Sequence, residues 1–165
     1  MWRIAFAGTA VFWLVIVVAV ELIPAHAAEL GTLTIHVENV SARGGILRLG
    51  LYDAANYAGD ANPAASADVT ARPGETVITL HGIRPGAYAI ETYQDVNSND
   101  KMDTNWIGYP LEPYGFSRDV KPILSKPGFR KVSFQVVAGA NEQVLHLQNS
   151  DARMADRDQK PKSEY

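Results

Sequence analysis

The sequence predicts an all-β domain, built as an antiparallel sandwich of six to seven short strands. Three observations predict it. Apolar and polar residues alternate with the period of two that half-buried strands show. Turn signals that contain Gly, Pro or Asn separate the alternating stretches. After the first 27 residues, no stretch sustains the period of a helix.

The first 27 residues have the three parts of a secretory signal. Arg3 lies in a short positive start, residues 4–20 form an apolar run, and Ala25-His26-Ala27 is a small-x-small cleavage pattern. A helix of that run spans about 25 Å, less than the roughly 30 Å hydrocarbon core of a bilayer. We therefore predict cleavage after Ala27, a periplasmic or secreted protein, and no stable membrane insertion after cleavage. The alternative is an uncleaved membrane anchor.

Residues 28–149 are predicted to form the β-sandwich domain. Residues 31–40 and 46–52 alternate regularly, and the turn signal between them predicts an opening hairpin. A long connection follows over residues 53–74, with one helical turn after Asp53. Further strands are predicted at residues 76–80, 87–95, 129–137 and 142–148. Residues 150–165 are rich in both signs of charge and predict a disordered polar tail.

A polar loop at residues 95–103 is the most chemically distinctive stretch. Oxygen-bearing side chains stand at its positions 1, 3, 5 and 9, and position 7 can offer its backbone carbonyl. Such alternate spacing lets a tight loop wrap oxygens around a hard cation such as Ca²⁺. The predicted metal ligands are Asp95, Asn97, Asn99, Lys101 and Asp103. The alternative is a plain loop whose Asp and Asn side chains cap their own backbone.

The match to an EF-hand loop is incomplete. Asp100 stands where an EF-hand has glycine, Trp106 stands where it has a bidentate glutamate, and no helices flank the loop. An EF-hand proper is therefore excluded, while a calcium-stabilised loop on a sandwich stays open. Glu112 or Asp119 could complete the ligand shell if the chain after the loop folds back.

Four aromatic residues follow the loop within a short, Pro-rich segment. They are Trp106, Tyr109, Tyr114 and Phe116. One interpretation is a stacking surface that binds a sugar or another small ligand beside the polar loop. The alternative is that the rings close one end of the core, since the burial of large aromatic side chains is energetically valuable.

Three motifs, taken in order, resemble those of an exported bacterial family catalogued as domain of unknown function 2141. They are Gly86-Ala87-Tyr88, the polar loop continued to Asn105, and the run Glu112-Pro113-Tyr114-Gly115-Phe116-Ser117. The resemblance covers roughly residues 30–147 and implies a periplasmic or secreted sandwich of unassigned function. The Pro85-Gly86-x-Tyr88 turn also resembles prealbumin-like and carboxypeptidase-regulatory-like sandwiches, and the expected architecture is immunoglobulin-like or prealbumin-like.

The composition excludes several classes of function. The chain has 165 residues, 47% of them hydrophobic, and a net charge of -3. Because basic residues are not in excess, we expect no nucleic-acid partner. The sequence has no Cys, and therefore no disulfide, thiolate zinc site or cysteine nucleophile.

The sequence favours a non-enzymatic binding or structural module of the cell envelope, with an envelope protein or a glycan as its partner. Neither His-Glu-x-x-His nor Gly-x-Ser-x-Gly occurs, and His36, His81 and His146 are far apart in the chain. The first alternative is a binder of a small ligand or carbohydrate that uses the aromatic segment at residues 106–116. A hydrolase that uses carboxylates near the polar loop is the less favoured alternative.

Overall fold

The computed structural model describes residues 29–59, 62–122 and 125–148, which form a sandwich of two β-sheets. The predicted signal segment with its cleavage site, and the predicted polar tail, lie outside the described residues. Within the described ranges, no helix has both the length and the apolar character needed to cross a bilayer.

The described residues contain eight strands, two α-helices of a single turn and one 3₁₀ turn at Ser117–Asp119. The strands are β1 (Gly31–Val40), β2 (Ile46–Tyr52), β3 (Ala65–Thr70), β4 (Gly74–Ile83), β5 (Gly86–Asp95), β6 (Tyr114–Phe116), β7 (Phe134–Val136) and β8 (Gly139–His146). The helices are α1 (Ala54–Tyr57) and α2 (Phe129–Val132). The helical turn predicted after Asp53 is α1, and the Asp53 carboxylate caps it by accepting hydrogen bonds from the Ala55 and Asn56 backbone N–H groups.

The strands are divided between a smaller and a larger sheet. The smaller sheet has the order β4-β1-β8, and the larger has the order β3-β2-β5-β6, with β7 also paired to β5. The all-β sandwich is therefore confirmed. The pairs are antiparallel, as predicted, except that β8 runs parallel to β1.

The predicted opening hairpin is wrong, because β1 and β2 lie in different sheets. β1 pairs with β4 and β8, whereas β2 pairs with β3 and β5. Their connection crosses the end of the sandwich through Gly44 and Gly45, which have φ angles of 77° and 90°. A Cβ at Gly45 would clash with the backbone oxygen of Asp95, so only glycine lets the chain pass this close to the end of β5.

Gln94 anchors this connection from the interior. Its side chain is fully buried at the end of β5. The amide nitrogen donates to the carbonyl oxygens of Ser41 at 3.0 Å and Gly44 at 2.7 Å, and the amide oxygen accepts from the Ser41 N–H at 2.9 Å. Because a buried amide is costly without partners, these three hydrogen bonds give Gln94 a structural role.

Two strands lie where the sequence predicted none. β3 lies inside the predicted connection at residues 53–74, and its inward side chains, Ala65, Ala67 and Val69, are so small that the alternation is hard to see. β6 has three residues, and its pairing with β5 defines it. Such a short strand has no period of its own that a sequence could reveal.

One predicted strand is divided. Residues 129–137 form α2 and then β7. The Ser133 N–H donates to the Phe129 carbonyl oxygen at 2.8 Å, which closes the helical turn, and the extended chain begins after it. The alternation from Val132 to Val136 predicted an extended chain, but the residues before it fold as a turn against α1 and β5.

The core lies between the two sheets. β1 and β2 contribute one complete face each, namely Leu33, Ile35, Val37, Leu47, Leu49 and Leu51. The facing strands add Ile78, Leu80, Ile90 and Leu145. Burial of each such side chain contributes about 1.5–3 kcal/mol. The outer face of the larger sheet is left free to carry polar chemistry.

On the outer face of the smaller sheet, two histidines each lie between two carboxylates. The pairs are Glu75 and Glu142 beside His36, at 2.6 and 3.1 Å, and Asp119 and Glu38 beside His146, at 2.9 and 3.0 Å. Hydrogen bonding to Glu75 raises the pKa of His36, and hydrogen bonding to Asp119 raises the pKa of His146. Both histidine side chains join β8 to its neighbours.

This arrangement predicts that the domain is more stable in mild acid than in mild alkali. A histidine with a raised pKa contributes stability that is complete below its unfolded pKa of about 6.5 and is lost as the pH rises through the folded pKa. Urea denaturation at pH 6 and pH 8.5 should therefore give a lower free energy of unfolding at pH 8.5. The variant with both His36→Gln and His146→Gln should show a smaller difference, and an unchanged difference would contradict the assignment.

Candidate functional site

A cavity of about 730 Å³ lies over the outer face of the larger sheet. Its floor is formed by β2, β5 and β6, and its walls include Tyr109 and its neighbours on one side and Lys126 on another. Small-molecule sites in proteins are typically concave and of about 300–1,000 Å³. The cavity therefore has the size of a site for a small ligand.

The strand register fixes two rows of side chains in the floor. The first row across the strands is Ser66, Gly50, Glu91 and Phe116. The second row is Asp68, Arg48, Tyr93 and Tyr114. Because alternate residues of a strand share a face, both rows point away from the core and line the cavity.

Gly50 makes room in the first row. A Cβ at this position would lie 2.5 Å from the ring of Tyr52, which is also a cavity residue. Any larger residue would push this ring aside. The absence of a side chain at Gly50 therefore lets the Tyr52 ring lie over β2, in the row that contains Glu91.

Glu91 and Lys126 form an ion pair at the edge of the cavity. Lys126 Nζ lies 2.5 Å from Glu91 Oε1, donates to the Tyr57 carbonyl oxygen at 2.8 Å, and lies 4.2 Å from the centroid of the Tyr57 ring. Burial raises the pKa of Glu91, and the hydrogen bond from Lys126 opposes that rise. The lysine thus ties the segment before α2 to β5 and α1.

Arg48 joins the cavity floor to the polar loop. Its Nε donates to Asp95 Oδ2 at 2.8 Å, its Nη1 donates to Asp68 Oδ2 at 2.7 Å, and its Nη2 donates to Asp100 Oδ1. One guanidinium therefore holds carboxylates from β5, β3 and the loop. The fixed fork of the guanidinium suits such multiple pairing.

Asp95 is the most deeply buried of these carboxylates, with a side chain that is 0% exposed. Burial raises the pKa of Asp95, but the hydrogen bonds from Arg48 and from the backbone N–H groups of Asp100 and Asn99 outweigh burial and hold the pKa below its ordinary value. The carboxylate therefore stays ionised and serves as the anchor of the loop.

The polar loop brings the other predicted ligands together. Asn97 and Asn99 each donate from Nδ2 to the carboxylate of Asp103, at 2.7 and 3.0 Å. The side-chain oxygens of Asn97 and Asn99 accept from the backbone N–H groups of Asn99 and Lys101, at 3.2 and 3.0 Å. These are the hydrogen bonds of the plain, self-capped loop.

Glu112 closes the loop from the far side. Its Oε1 accepts from the Val96 N–H at 2.7 Å, and its Oε2 accepts from the Asp103 N–H at 3.0 Å. The chain after the loop therefore folds back, as the sequence suggested for Glu112. Asp119 instead pairs with His146 on the other side of the fold.

Calcium binding at this loop stays a prediction. In the part of the chain that the structure describes, no group of three or more acidic or His side chains is arranged to hold a metal ion. The asparagine oxygens are engaged by backbone N–H groups, so Ca²⁺ would have to compete with these hydrogen bonds and with Arg48.

The predicted aromatic segment divides between the cavity and the solvent. Tyr109, Tyr114 and Phe116 line the cavity, with Tyr114 only 7% exposed. Trp106 is 94% exposed and is not a lining residue. The side chain of Asn105 holds the turn by accepting from the Ile107 and Tyr109 N–H groups, which places Tyr109 at the wall and Trp106 at the tip.

Sequence reasoning missed most of the residues that line the cavity. Arg48 and Tyr52 come from β2, Glu91 and Tyr93 come from β5, and Lys126 comes from the segment before α2. The strand residues have a signal in the sequence, since they are outward positions that alternate with buried residues. Lys126 has none, because a tertiary contact brings it to β5.

Loss of the Arg48 guanidinium should destabilise the whole domain. Arg48→Met leaves Asp95 buried without its cation, and removal of one partner of a buried ion pair costs about 3–5 kcal/mol. Urea denaturation measures this cost, and Arg130→Met, at an exposed position of α2, is the matched control. Equal free energies of unfolding for the two variants would contradict the role given to Arg48.

The comparisons with known proteins agree with the motifs. A family described as an uncharacterized protein conserved in bacteria (DUF2141) matches residues 35–144, which is more than half of the chain. No curated protein and no solved structure matches the chain. The matched range contains β2 to β7 and most of β1 and β8, and with them the described cavity and the polar loop. The chain therefore belongs to this uncharacterized bacterial family.

Proposed function

We propose that the domain is a ligand-binding module of the cell envelope, and that its cavity binds a small ring-bearing molecule such as a sugar. The observation that carries this proposal is the cavity of about 730 Å³ on the outer face of the larger sheet. Its lining combines tyrosine rings with charged groups at fixed places. Apolar walls with few oriented polar groups are typical of small-ligand sites.

The tyrosines supply the apolar contact that such a ligand needs. Tyr52, Tyr93 and Tyr109 line the cavity from two strands and a loop, and each keeps part of its surface exposed. Aromatic rings offer a large contact area with a polar hydroxyl at one end. A sugar, which has apolar ring faces and polar edges, fits this combination.

The polar groups of the floor are fixed before any ligand arrives. Arg48 is held by three carboxylates, and Lys126 is held by Glu91 and the Tyr57 carbonyl oxygen. A rigid site loses little conformational entropy when it binds, which favours affinity. This rigidity supports binding as the role of the cavity.

Two further parts of the proposal come from the sequence. The signal-like start, which lies outside the described residues, supports export to the periplasm or beyond. The lack of a recognised catalytic motif favours binding without chemistry. A purely structural envelope module, the other interpretation of the sequence, gives no reason for tyrosines around an open cavity.

A panel of neutral mono- and oligosaccharides tests the proposal by isothermal titration of the purified protein. We expect at least one member to bind and Tyr109→Ala to weaken it about tenfold, which is the loss expected for one stacking ring. Trp106→Ala is the informative comparison. If Trp106→Ala abolishes binding while Tyr109→Ala does not, the site is the exposed tip. If no member binds, the proposal is wrong.

We also propose, from the spacing of its oxygens, that the polar loop binds Ca²⁺ weakly. Extracellular calcium modules bind at about 10⁻⁴ to 10⁻³ M. A ligand at a hundred times its Kd adds about 2.7 kcal/mol of stability. The melting temperature should therefore be several degrees higher in excess Ca²⁺ than in EDTA, and Asp103→Ala should remove the difference. Identical melts of the unmodified protein in Ca²⁺ and EDTA would contradict calcium binding.

A further inference from the structure

The two cationic side chains at the cavity, Arg48 and Lys126, are both paired with groups of the protein itself. All three guanidinium nitrogens of Arg48 donate to carboxylates. Lys126 Nζ contacts Glu91 Oε1 and the Tyr57 carbonyl oxygen, and its remaining side faces the Tyr57 ring. Among the described residues of the cavity, the charge of Arg48 is therefore already balanced by three carboxylates and that of Lys126 by Glu91, which leaves no unpaired cation for an anionic ligand.

Glu91, in contrast, keeps an acceptor. Its Oε1 faces Lys126, whereas no described residue donates a hydrogen bond to its Oε2. The side chain is 26% exposed and lines the cavity floor. Its neighbours in the row are Gly50, which has no side chain, and Phe116, which has no polar atom. The oxygen without a donor thus belongs to a lining residue whose neighbouring positions hold aromatic rings, that of Tyr52 over Gly50 and that of Phe116.

We infer that the ligand of this cavity carries no negative charge and donates an O–H or N–H group to Glu91 Oε2, which makes Glu91 the residue that selects it. The inference rests on the proposed function and names the class of its ligand. A neutral sugar hydroxyl is the donor that the surrounding tyrosines favour. A protonated amine on the same ring is the other source of the same donor chemistry.

The physical reason is that a ligand O–H or N–H group donates to the Glu91 carboxylate, whereas an anionic ligand is repelled by it. A hydrogen bond to an ionised acceptor is about twice as strong as one between neutral groups. A ligand carboxylate or phosphate would instead bring a second negative charge to a half-buried one, with no free cation to balance it. The cavity therefore discriminates by charge, although its tyrosines would stack equally well on the ring of a neutral or of an anionic ligand.

Titration of the purified protein with matched ligands tests the inference. The probes are neutral methyl glycosides, the corresponding glycuronides, which add one carboxylate, and the corresponding amino sugars, which add one ammonium. We expect the neutral glycoside to bind at least tenfold more tightly than its glycuronide. The amino sugar should bind at least as tightly as the neutral glycoside.

Three variants identify the residue responsible. Glu91→Gln should weaken the neutral glycoside about tenfold and narrow its advantage over the glycuronide. Lys126→Met leaves the Glu91 acceptor in place and should keep or widen that advantage. Glu142→Gln, which removes an exposed carboxylate on the other sheet, is the matched control and should change neither affinity.

The outcomes distinguish a failure of this inference from a failure of the proposed function. A glycuronide that binds as tightly as its neutral partner, with both affinities reduced by Tyr109→Ala, would overturn the inference and leave the binding function standing. Unchanged selectivity in Glu91→Gln would also overturn it. A failure of every ring in the panel to bind would overturn the proposed function and the inference together.

Discussion

The guanidinium of Arg48 is the interaction on which the outer face of the larger sheet depends. It lies on β2 and pairs with Asp68 of β3, Asp95 of β5 and Asp100 of the polar loop. Without it, a fully buried carboxylate would lack its cation and three negative charges would repel one another. Because the same side chain lines the cavity, the stability of the loop and the shape of the site have a common origin.

The outer faces of the two sheets differ in their side chains. The smaller sheet buries one face and uses the other for histidines held between carboxylates, beside the exposed side chains of Val77 and Val144. The larger sheet has tyrosines beside the charged groups of its outer face, and loops rise around them. A rigid sandwich thus supports a site whose walls are loops, an arrangement in which function commonly resides.

The sequence predicts those parts of the structure that depend on local interactions, and it fails where residues distant in the chain come together. Alternation in β1 and β2 marks strands clearly, since the buried face of each is made of Leu, Ile or Val. Alternation says nothing about partners, so the predicted hairpin was wrong, and Gly45 shows its true role only against the backbone of Asp95. The polar loop was recognised as a unit, but Arg48, its cation, is distant in the chain and becomes evident only from the register of β2 and β5.

We propose that the domain binds its ligand in the tyrosine-lined cavity and not at the exposed tip around Trp106. Amide chemical-shift mapping by NMR during titration with the tightest-binding saccharide tests it most directly. We expect the shifts to concentrate at Gly50, Glu91 and Tyr93 on the larger sheet and at Tyr109 in the cavity wall. Shifts confined to Trp106 and Ile107, or spread over the outer face of the smaller sheet, would contradict it.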